Sequence, residues 1–166
     1  MPNIYATGLL EVIAKGESRG NYNAYFGNVN NTEIRFTSMT VSEVLQWQRE
    51  FITAGNASSA VGRYQFIDST LQSLVSQQRI DPMATFDEGL QDRLAIALLE
   101  GRGVRDFLNE RISRDTFAHN LSMEWAALPR VIGENPTASY YSDDGLNAVQ
   151  VSIEEVYKGI DTVREL

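Results

Sequence analysis

The segment KGESRGNY, residues 15–22, places Glu17 between an apolar helical segment and a stretch rich in glycine, asparagine and tyrosine. A glutamic acid donates a proton near neutral pH only when burial raises its pKa. The carboxyl end of a helix also disfavours the anion, so a helix that ends here would raise the pKa further. Glu17 is therefore a candidate general acid. The alternative is a solvated surface charge, since exposed glutamates are common.

The residues that follow Glu17 include no second acid before Glu33. Most glycosidases need a second carboxylate on the other side of the scissile bond. The intervening loop instead carries mainly neutral hydrogen-bonding side chains, Tyr22 among them, which suit sugar hydroxyl and acetamido groups. Because Glu33 and Glu43 could still approach through folding, the sequence predicts a saccharide-contacting loop and leaves the second acid open.

A second informative stretch is SSAVGRYQF, residues 58–66, in which a glycine permits a tight turn. Arg63, Tyr64 and Gln65 then offer a charge, an aromatic face and an amide. Saccharide sites use this mixture, because rings pack against sugar CH faces and amides bind hydroxyl groups. The alternative is a loop whose aromatic residues fill the core. One of its two alternating rings is expected to point inward.

Hydrophobic periodicity predicts a mainly helical domain with one irregular or β insertion. Two capping-box patterns, Thr40–Glu43 and Thr85–Glu88, mark the starts of two helices. The predicted helices cover residues 4–15, 40–55, 68–78, 85–100, 104–112, 113–128 and 145–164. Residues 18–38 lack a helical period and are the candidate for a small sheet, with β pieces around YFGNV and EIRFT.

Composition excludes several classes of function. The chain of 166 residues is predicted to form one domain over residues 1–166. A net charge of -8 argues against nucleic acid as a partner. Without cysteine, and with His119 as the single histidine, no metal or organic cofactor is expected. The longest apolar run, Leu94–Leu99, is too short to span a membrane, and the first residues lack the basic region of a signal peptide.

The order of these motifs resembles that of phage lambda-type lysozymes, or endolysins. A glutamate ends the first helix, and a polar loop, GRYQF, WAALP and a loop with Tyr140 and Tyr141 follow before the final helix. The resemblance covers most of the chain. It is most specific in SSAVGRYQF and in the tail that carries WAALP, SYY and GLN.

The resemblance implies a lysozyme-like α+β fold, mainly α, with a small β or irregular insertion flanking the cleft. It implies a lytic transglycosylase that cleaves the β-1,4 bond between N-acetylmuramic acid and N-acetylglucosamine and leaves a 1,6-anhydro product. Such enzymes use one catalytic glutamate, which Glu17 matches by position. The GRYQ match assigns substrate contacts to Arg63, Tyr64 and Gln65, and the late tyrosine matches Tyr140 or Tyr141.

The implied partners are peptidoglycan glycan strands and, for a module carried on the virion, other virion proteins. The protein would act in the host cytoplasm and then the periplasm, or from the virion, without membrane insertion. Its acidic charge differs from that of many free phage lysins and favours the virion. Three alternatives stay open: a hydrolytic muramidase on the same fold, a non-catalytic glycan-binding or virion structural module, and a helical protein-interaction domain.

Overall fold

A computed structural model describes residues 1–145 and 147–166 of the chain. The described residues form seven α-helices and one two-stranded sheet, which confirms the prediction of a mainly helical fold with a small β part. In chain order the elements are β1 (Ile4–Tyr5), α1 (Thr7–Ser18), α2 (Val41–Thr53), α3 (Asp68–Gln77), α4 (Glu88–Gly101), α5 (Val104–Leu108), α6 (Arg114–Glu124), α7 (Ile153–Asp161) and β2 (Arg164–Glu165). Short 3-10 helices cover Phe36–Ser38 and Ser142–Asp144. No helix in the described ranges has the length and apolar character to cross a bilayer.

The chain divides into two compact units. The terminal unit comprises Met1–Glu17 and Leu98–Leu166, and the central unit comprises Ser18–Ala97. The prediction of one catalytic domain over residues 1–166 stays a prediction.

In the terminal unit, the two ends of the chain pair and α7 packs closely on α1. Strands β1 and β2 are antiparallel, with Ile4 opposite Glu165. A Cβ added at Gly159 of α7 would lie 3.1 Å from the Leu9 Cα of α1, so only glycine allows this approach. Buried residues of both helices, Leu9 and Ile160 among them, contribute to the core. This packing fixes α1, whose last turn carries Glu17.

In the central unit, buried aromatic and aliphatic side chains form the core beneath α2 and α3. The fully buried members include Phe36, Val41, Val44, Val61, Leu71 and Phe86. One buried polar side chain, Gln48 of α2, donates through Nε2 to the carbonyl groups of Ser59 (2.9 Å) and Phe66 (3.0 Å). These two bonds tie the segment that contains GRYQF to α2.

The predicted helix starts are correct for one capping box and wrong for the other. Thr40 and Glu43 form both bonds of the box at the start of α2. Thr85 does not cap α4, and its backbone pairs with Thr40 in an isolated bridge. Helix α4 begins three residues later, where Asp87 Oδ1 accepts the N–H of Leu90 at 2.9 Å.

The last helix is also shorter than predicted. It begins at Ile153 rather than at residue 145, because Ser152 and Glu155 form a capping box that fixes its first turn. Gly145 has φ 72° and ends the short 3-10 helix before it. Leu146, which the prediction placed in the last helix, lies outside the described residues.

The sheet does not lie where the sequence suggested. Residues 18–38 contain no strand, and the pairings of Tyr25 with Asn28 and Val61 are isolated bridges. Asparagine side chains take over the hydrogen bonds that a strand partner would have made. Asn31 Nδ2 donates to the carbonyl groups of Asn23 (2.6 Å) and Ile34 (2.8 Å). The insertion is therefore an irregular loop with side-chain support.

Candidate functional site

Glu17 lies in the last turn of α1, where the helix approaches the turn formed by residues 125–128. A Cβ added at Gly16 would lie 3.0 Å from the Ala127 Cβ, so a larger residue would push the two segments apart. The close approach lets the N–H of Ala127 donate to Glu17 Oε1 at 3.2 Å. The glutamate is thus oriented by a backbone group rather than by a side chain.

Three hydrogen bonds fix the turn that presents this N–H. The Leu128 N–H donates to the carbonyl of Trp125 at 3.0 Å, and the Gln150 N–H donates to that of Ala127 at 2.9 Å. The buried Ser139 donates through Oγ to the Ala126 carbonyl at 2.6 Å. Helix α6 therefore ends at Glu124 rather than at residue 128 as predicted, while Trp125 is buried as predicted.

The surroundings of Glu17 favour its protonated form. The residue is partly exposed, yet protein atoms surround the carboxyl group, and this desolvation raises its pKa from 4.5 to about 7. The bond from Ala127 opposes the shift and is the weaker influence. No charged side chain among the described residues of the terminal unit contributes to the shift. Near neutral pH the group can therefore both donate and accept a proton.

The two late tyrosines of the terminal unit have different hydroxyl environments. Both rings are substantially exposed and lie edge to face, with centroids 5.1 Å apart. The Tyr141 hydroxyl donates to the Met123 carbonyl at 2.5 Å, which holds it against α6. The Tyr140 hydroxyl makes no hydrogen bond within the described part of the chain. Arg130 steadies the Tyr140 backbone by donating to its carbonyl at 3.4 Å.

In the central unit, a buried glutamine holds the GRYQF turn in place. Gly62 has φ 86°, which only glycine adopts easily, and its N–H donates to the Ala24 carbonyl at 2.8 Å. The Arg63 N–H donates to Gln91 Oε1 at 2.9 Å. The Arg63 carbonyl accepts from Ser18 Oγ at 2.6 Å. The backbone of the turn is therefore bonded on both sides of Arg63.

Around this turn, Tyr22, Arg63, Tyr64 and Asp92 form a cluster that we call the Asp92 cluster. Asp92 Oδ1 accepts the hydroxyl groups of Tyr22 at 2.8 Å and Tyr64 at 2.6 Å. Arg63 Nη1 donates to the Tyr64 hydroxyl at 2.8 Å, and its guanidinium lies 5.0 Å from the Tyr22 ring centroid. Burial, reinforced by Asp92, raises the pKa of Tyr22 to about 12 and raises that of Tyr64 as well. Both hydroxyl groups therefore stay protonated donors.

The structure places the predicted contact residues at different depths. Tyr22 and Gln65 are partly exposed, whereas Arg63 is 9% exposed and Tyr64 is 1% exposed. Tyr64 and the nearby Phe66 are both buried in the core, whereas the sequence predicted that only one of the two rings would point inward. Gln65 does not join the Asp92 cluster, because its Nε2 donates to the Gly62 carbonyl at 2.9 Å.

Sequence reasoning missed two residues that organise this region, Gln91 and Asp92. Both act through contacts distant in the chain, such as the bond from Tyr22 to Asp92, and these leave no local pattern. Gln91 did leave a signal, because it falls on the buried face of α4 with Leu94 and Ala95. A polar residue on a buried helix face needs hydrogen-bond partners, so it marks an anchor.

No group of three or more histidine, aspartate or glutamate side chains that could hold a metal ion occurs in the described ranges. A family model described as Endolysin matches residues 7–146 of the chain. Because this match covers more than half of its length, the chain belongs to the endolysin family, phage enzymes that break down the bacterial cell wall. No curated protein and no solved structure gives a match.

Proposed function

We propose that this endolysin is a peptidoglycan lytic transglycosylase that cleaves the β-1,4 bond from N-acetylmuramic acid to N-acetylglucosamine and leaves a 1,6-anhydro end. One observation carries the proposal. Burial raises the pKa of Glu17 to about 7, and no charged side chain among the described residues of its own unit contributes to that shift. A single carboxyl group that is half ionised near neutral pH suits a reaction whose acid and base are the same residue.

In the proposed reaction, protonated Glu17 donates its proton to the glycosidic oxygen as the bond to C1 of the muramic acid breaks. The resulting Glu17 carboxylate then accepts the proton of the C6 hydroxyl while O6 forms a bond to C1. The ring closes without water, and Glu17 returns to its protonated form. The Ala127 N–H, 3.2 Å from Oε1, would orient the carboxyl group in both steps.

The remaining site residues are proposed to contact the saccharide or to position the contacts. Tyr22 and Gln65 are partly exposed and can offer a ring and an amide. Arg63 is 9% exposed, so its contact would come from the small accessible part of its side chain. Tyr64 is almost fully buried, which favours anchoring through its hydroxyl over direct contact. Of the late tyrosines, Tyr140 has the hydroxyl without a partner among the described residues. We therefore favour it over Tyr141 as the hydrogen-bonding contact.

The proposal is tested by digesting purified peptidoglycan with the wild-type protein and the Glu17→Gln variant and analysing the muropeptides by mass spectrometry. The wild type should release 1,6-anhydro products and Glu17→Gln should release none. The control is Glu11→Gln, the same substitution at an exposed position of α1, which should keep wild-type activity. Undiminished lysis by Glu17→Gln would refute the assignment of the catalytic residue.

The same digestion separates the alternatives. A hydrolytic muramidase would leave reducing ends in place of anhydro ends. A non-catalytic glycan-binding or virion structural module would release nothing, even as the wild type. Whether the enzyme acts free or from the virion is a separate question, which immunodetection in purified virions answers. The net charge of -8 favours the virion, because local delivery needs no attraction to an anionic wall.

A further inference from the structure

An open pocket of about 590 Å³ lies within the central unit. Its lining comes from Asn23, residues 35, 37 and 38, and residues 87–89 at the start of α4. This volume falls within the roughly 300–1,000 Å³ of typical small-molecule sites. We call it the Arg35 pocket. Of its lining residues, only Asn23 belongs to the loop that the sequence predicted to contact a saccharide.

The Arg35 pocket is lined by charged side chains of both signs that do not pair with each other. Arg35 and Glu88 are exposed, and neither side chain forms a hydrogen bond or an ion pair within residues 1–145 and 147–166. Asp87 uses Oδ1 to accept the Leu90 N–H at 2.9 Å, which leaves Oδ2 open. A cation and two carboxylates that line one pocket without pairing can each bind a charge on a ligand.

The Arg35 pocket adjoins a residue already proposed to contact the glycan. Asn23 directly follows Tyr22, and its Oδ1 accepts the Thr37 N–H at 3.0 Å, which holds the two sides of the lining loop together. Glu88 also contributes, as the weakest of five influences, to the raised pKa of the Tyr22 hydroxyl. A substituent of a sugar held at Tyr22 would therefore be within reach of the pocket.

We propose that the Arg35 pocket binds the diamino-acid end of a peptidoglycan stem peptide, a group that carries both an ammonium and a carboxylate. The proposal rests on the proposed function, in which the glycan contacts Tyr22. Sugar hydroxyl groups are neutral and do not need a guanidinium beside unpaired carboxylates. The stem ends carry both charges, so Glu88 would bind the ammonium and Arg35 the carboxylate.

The test measures binding without catalysis, by titrating the tripeptide L-alanyl-γ-D-glutamyl-meso-diaminopimelate into the protein in a calorimeter. Arg35→Gln and Glu88→Gln should each weaken binding about two- to fivefold, as expected for the loss of one exposed charge pair. Arg49→Gln, at an exposed arginine of α2 outside the pocket, is the matched control and should bind like the wild type. Circular dichroism checks that all variants are folded.

A second probe, the same tripeptide with its side-chain amine acetylated, tests the assignment of Glu88. It should bind the wild type as weakly as the free tripeptide binds Glu88→Gln, and Glu88→Gln should not weaken it further. Equal binding of both tripeptides, or equal binding by wild type, Arg35→Gln and Glu88→Gln, would overturn the proposal, as would no binding to the wild type. None of these results depends on product chemistry, so they are distinguishable from a failure of the transglycosylase assignment.

Discussion

At the residue scale, Glu17 must be protonated when the glycosidic bond breaks and ionised when the C6 hydroxyl loses its proton. Burial raises its pKa to about 7, while the N–H of Ala127 prevents a larger shift. An unperturbed glutamate would be almost fully ionised at neutral pH and a poor acid. A glutamic acid with a much higher pKa would be a weaker proton donor to the glycosidic oxygen. A value near neutrality serves both steps.

The pH dependence of the reaction follows from this pKa. Because the first step needs protonated Glu17, kcat/KM should stay level below about pH 7 and fall about tenfold per pH unit above it. The measurement is a pH–rate profile on solubilised glycan strands, with circular dichroism to confirm that the protein stays folded. A profile that falls only around pH 4–5, near the ordinary glutamate pKa, would contradict the account.

The same shift predicts a pH-dependent effect of Glu17→Gln on stability. A raised folded-state pKa contributes stability that is fully present below about 4.5 and is lost as the pH rises through about 7. The variant lacks the ionisable group. It should therefore match the wild type at about pH 4 and exceed it by as much as about 3 kcal/mol at about pH 8.

Urea denaturation of both proteins at the two pH values measures this difference. The glutamine can still accept the Ala127 N–H, so the hydrogen bond is conserved in the comparison. If the difference in unfolding free energy is the same at both pH values, ionisation of Glu17 does not destabilise the folded protein.

The sequence predicted the role of a residue only where its structural partners lie close to it along the chain. Glu17 could be placed at the end of a helix because the periodicity of the residues before it is local. The bonds from Tyr22 and Tyr64 to Asp92 join residues 70 and 28 positions apart, and no local pattern encodes them. The Asp92 cluster therefore became visible only in the fold.

At the element scale, three sequences with the same capping-box pattern behaved differently. The boxes at Thr40 and Ser152 form. The box at Thr85 does not form, and α4 begins only at Glu88. The pattern indicates that a cap is possible, but a neighbouring residue such as Asp87, which accepts the Leu90 N–H, can set the start of the helix instead. The terminal strands β1 and β2 are two residues each, too short for a periodic signal and at opposite ends of the chain.

The turn that carries Arg63 offers a matched pair of glycines for mutation. Gly62 and Gly27 both have φ 86°, so an alanine at either position would have to adopt the same unfavourable φ. A Cβ at Gly62 would also lie 2.5 Å from Gln91 Oε1, whereas a Cβ at Gly27 would meet no heavy atom within 4 Å beyond its chain neighbours. Gly62→Ala should therefore cost about 1–3 kcal/mol more stability than Gly27→Ala, the range for overpacking in a core.

Urea denaturation of the two variants checks this difference. Gly62→Ala should also lose activity, because Gln91 would have to release the Arg63 N–H. Equal costs for the two substitutions would mean that Gln91 moves aside freely and does not anchor the turn.

At the scale of the whole molecule, the net charge of -8 opposes approach to a wall that carries stem-peptide carboxylates. Salt screens this repulsion, with a Debye length of about 8 Å at physiological ionic strength. The rate of wall lysis should therefore rise as salt increases from about 20 to about 150 mM. Turbidity assays measure it, with sucrose at matched osmolarity as the control. A rate that falls with salt would indicate binding by a cationic surface instead.

The most direct test of the central claim is digestion of peptidoglycan in water enriched in ¹⁸O, followed by mass spectrometry of the new muramic acid ends. If Glu17 directs O6 onto C1, the products are lighter than the hydrolysed species by one water and contain no ¹⁸O. Products that carry one ¹⁸O at the new reducing end would contradict the account, because water and not the C6 hydroxyl would then have completed the reaction.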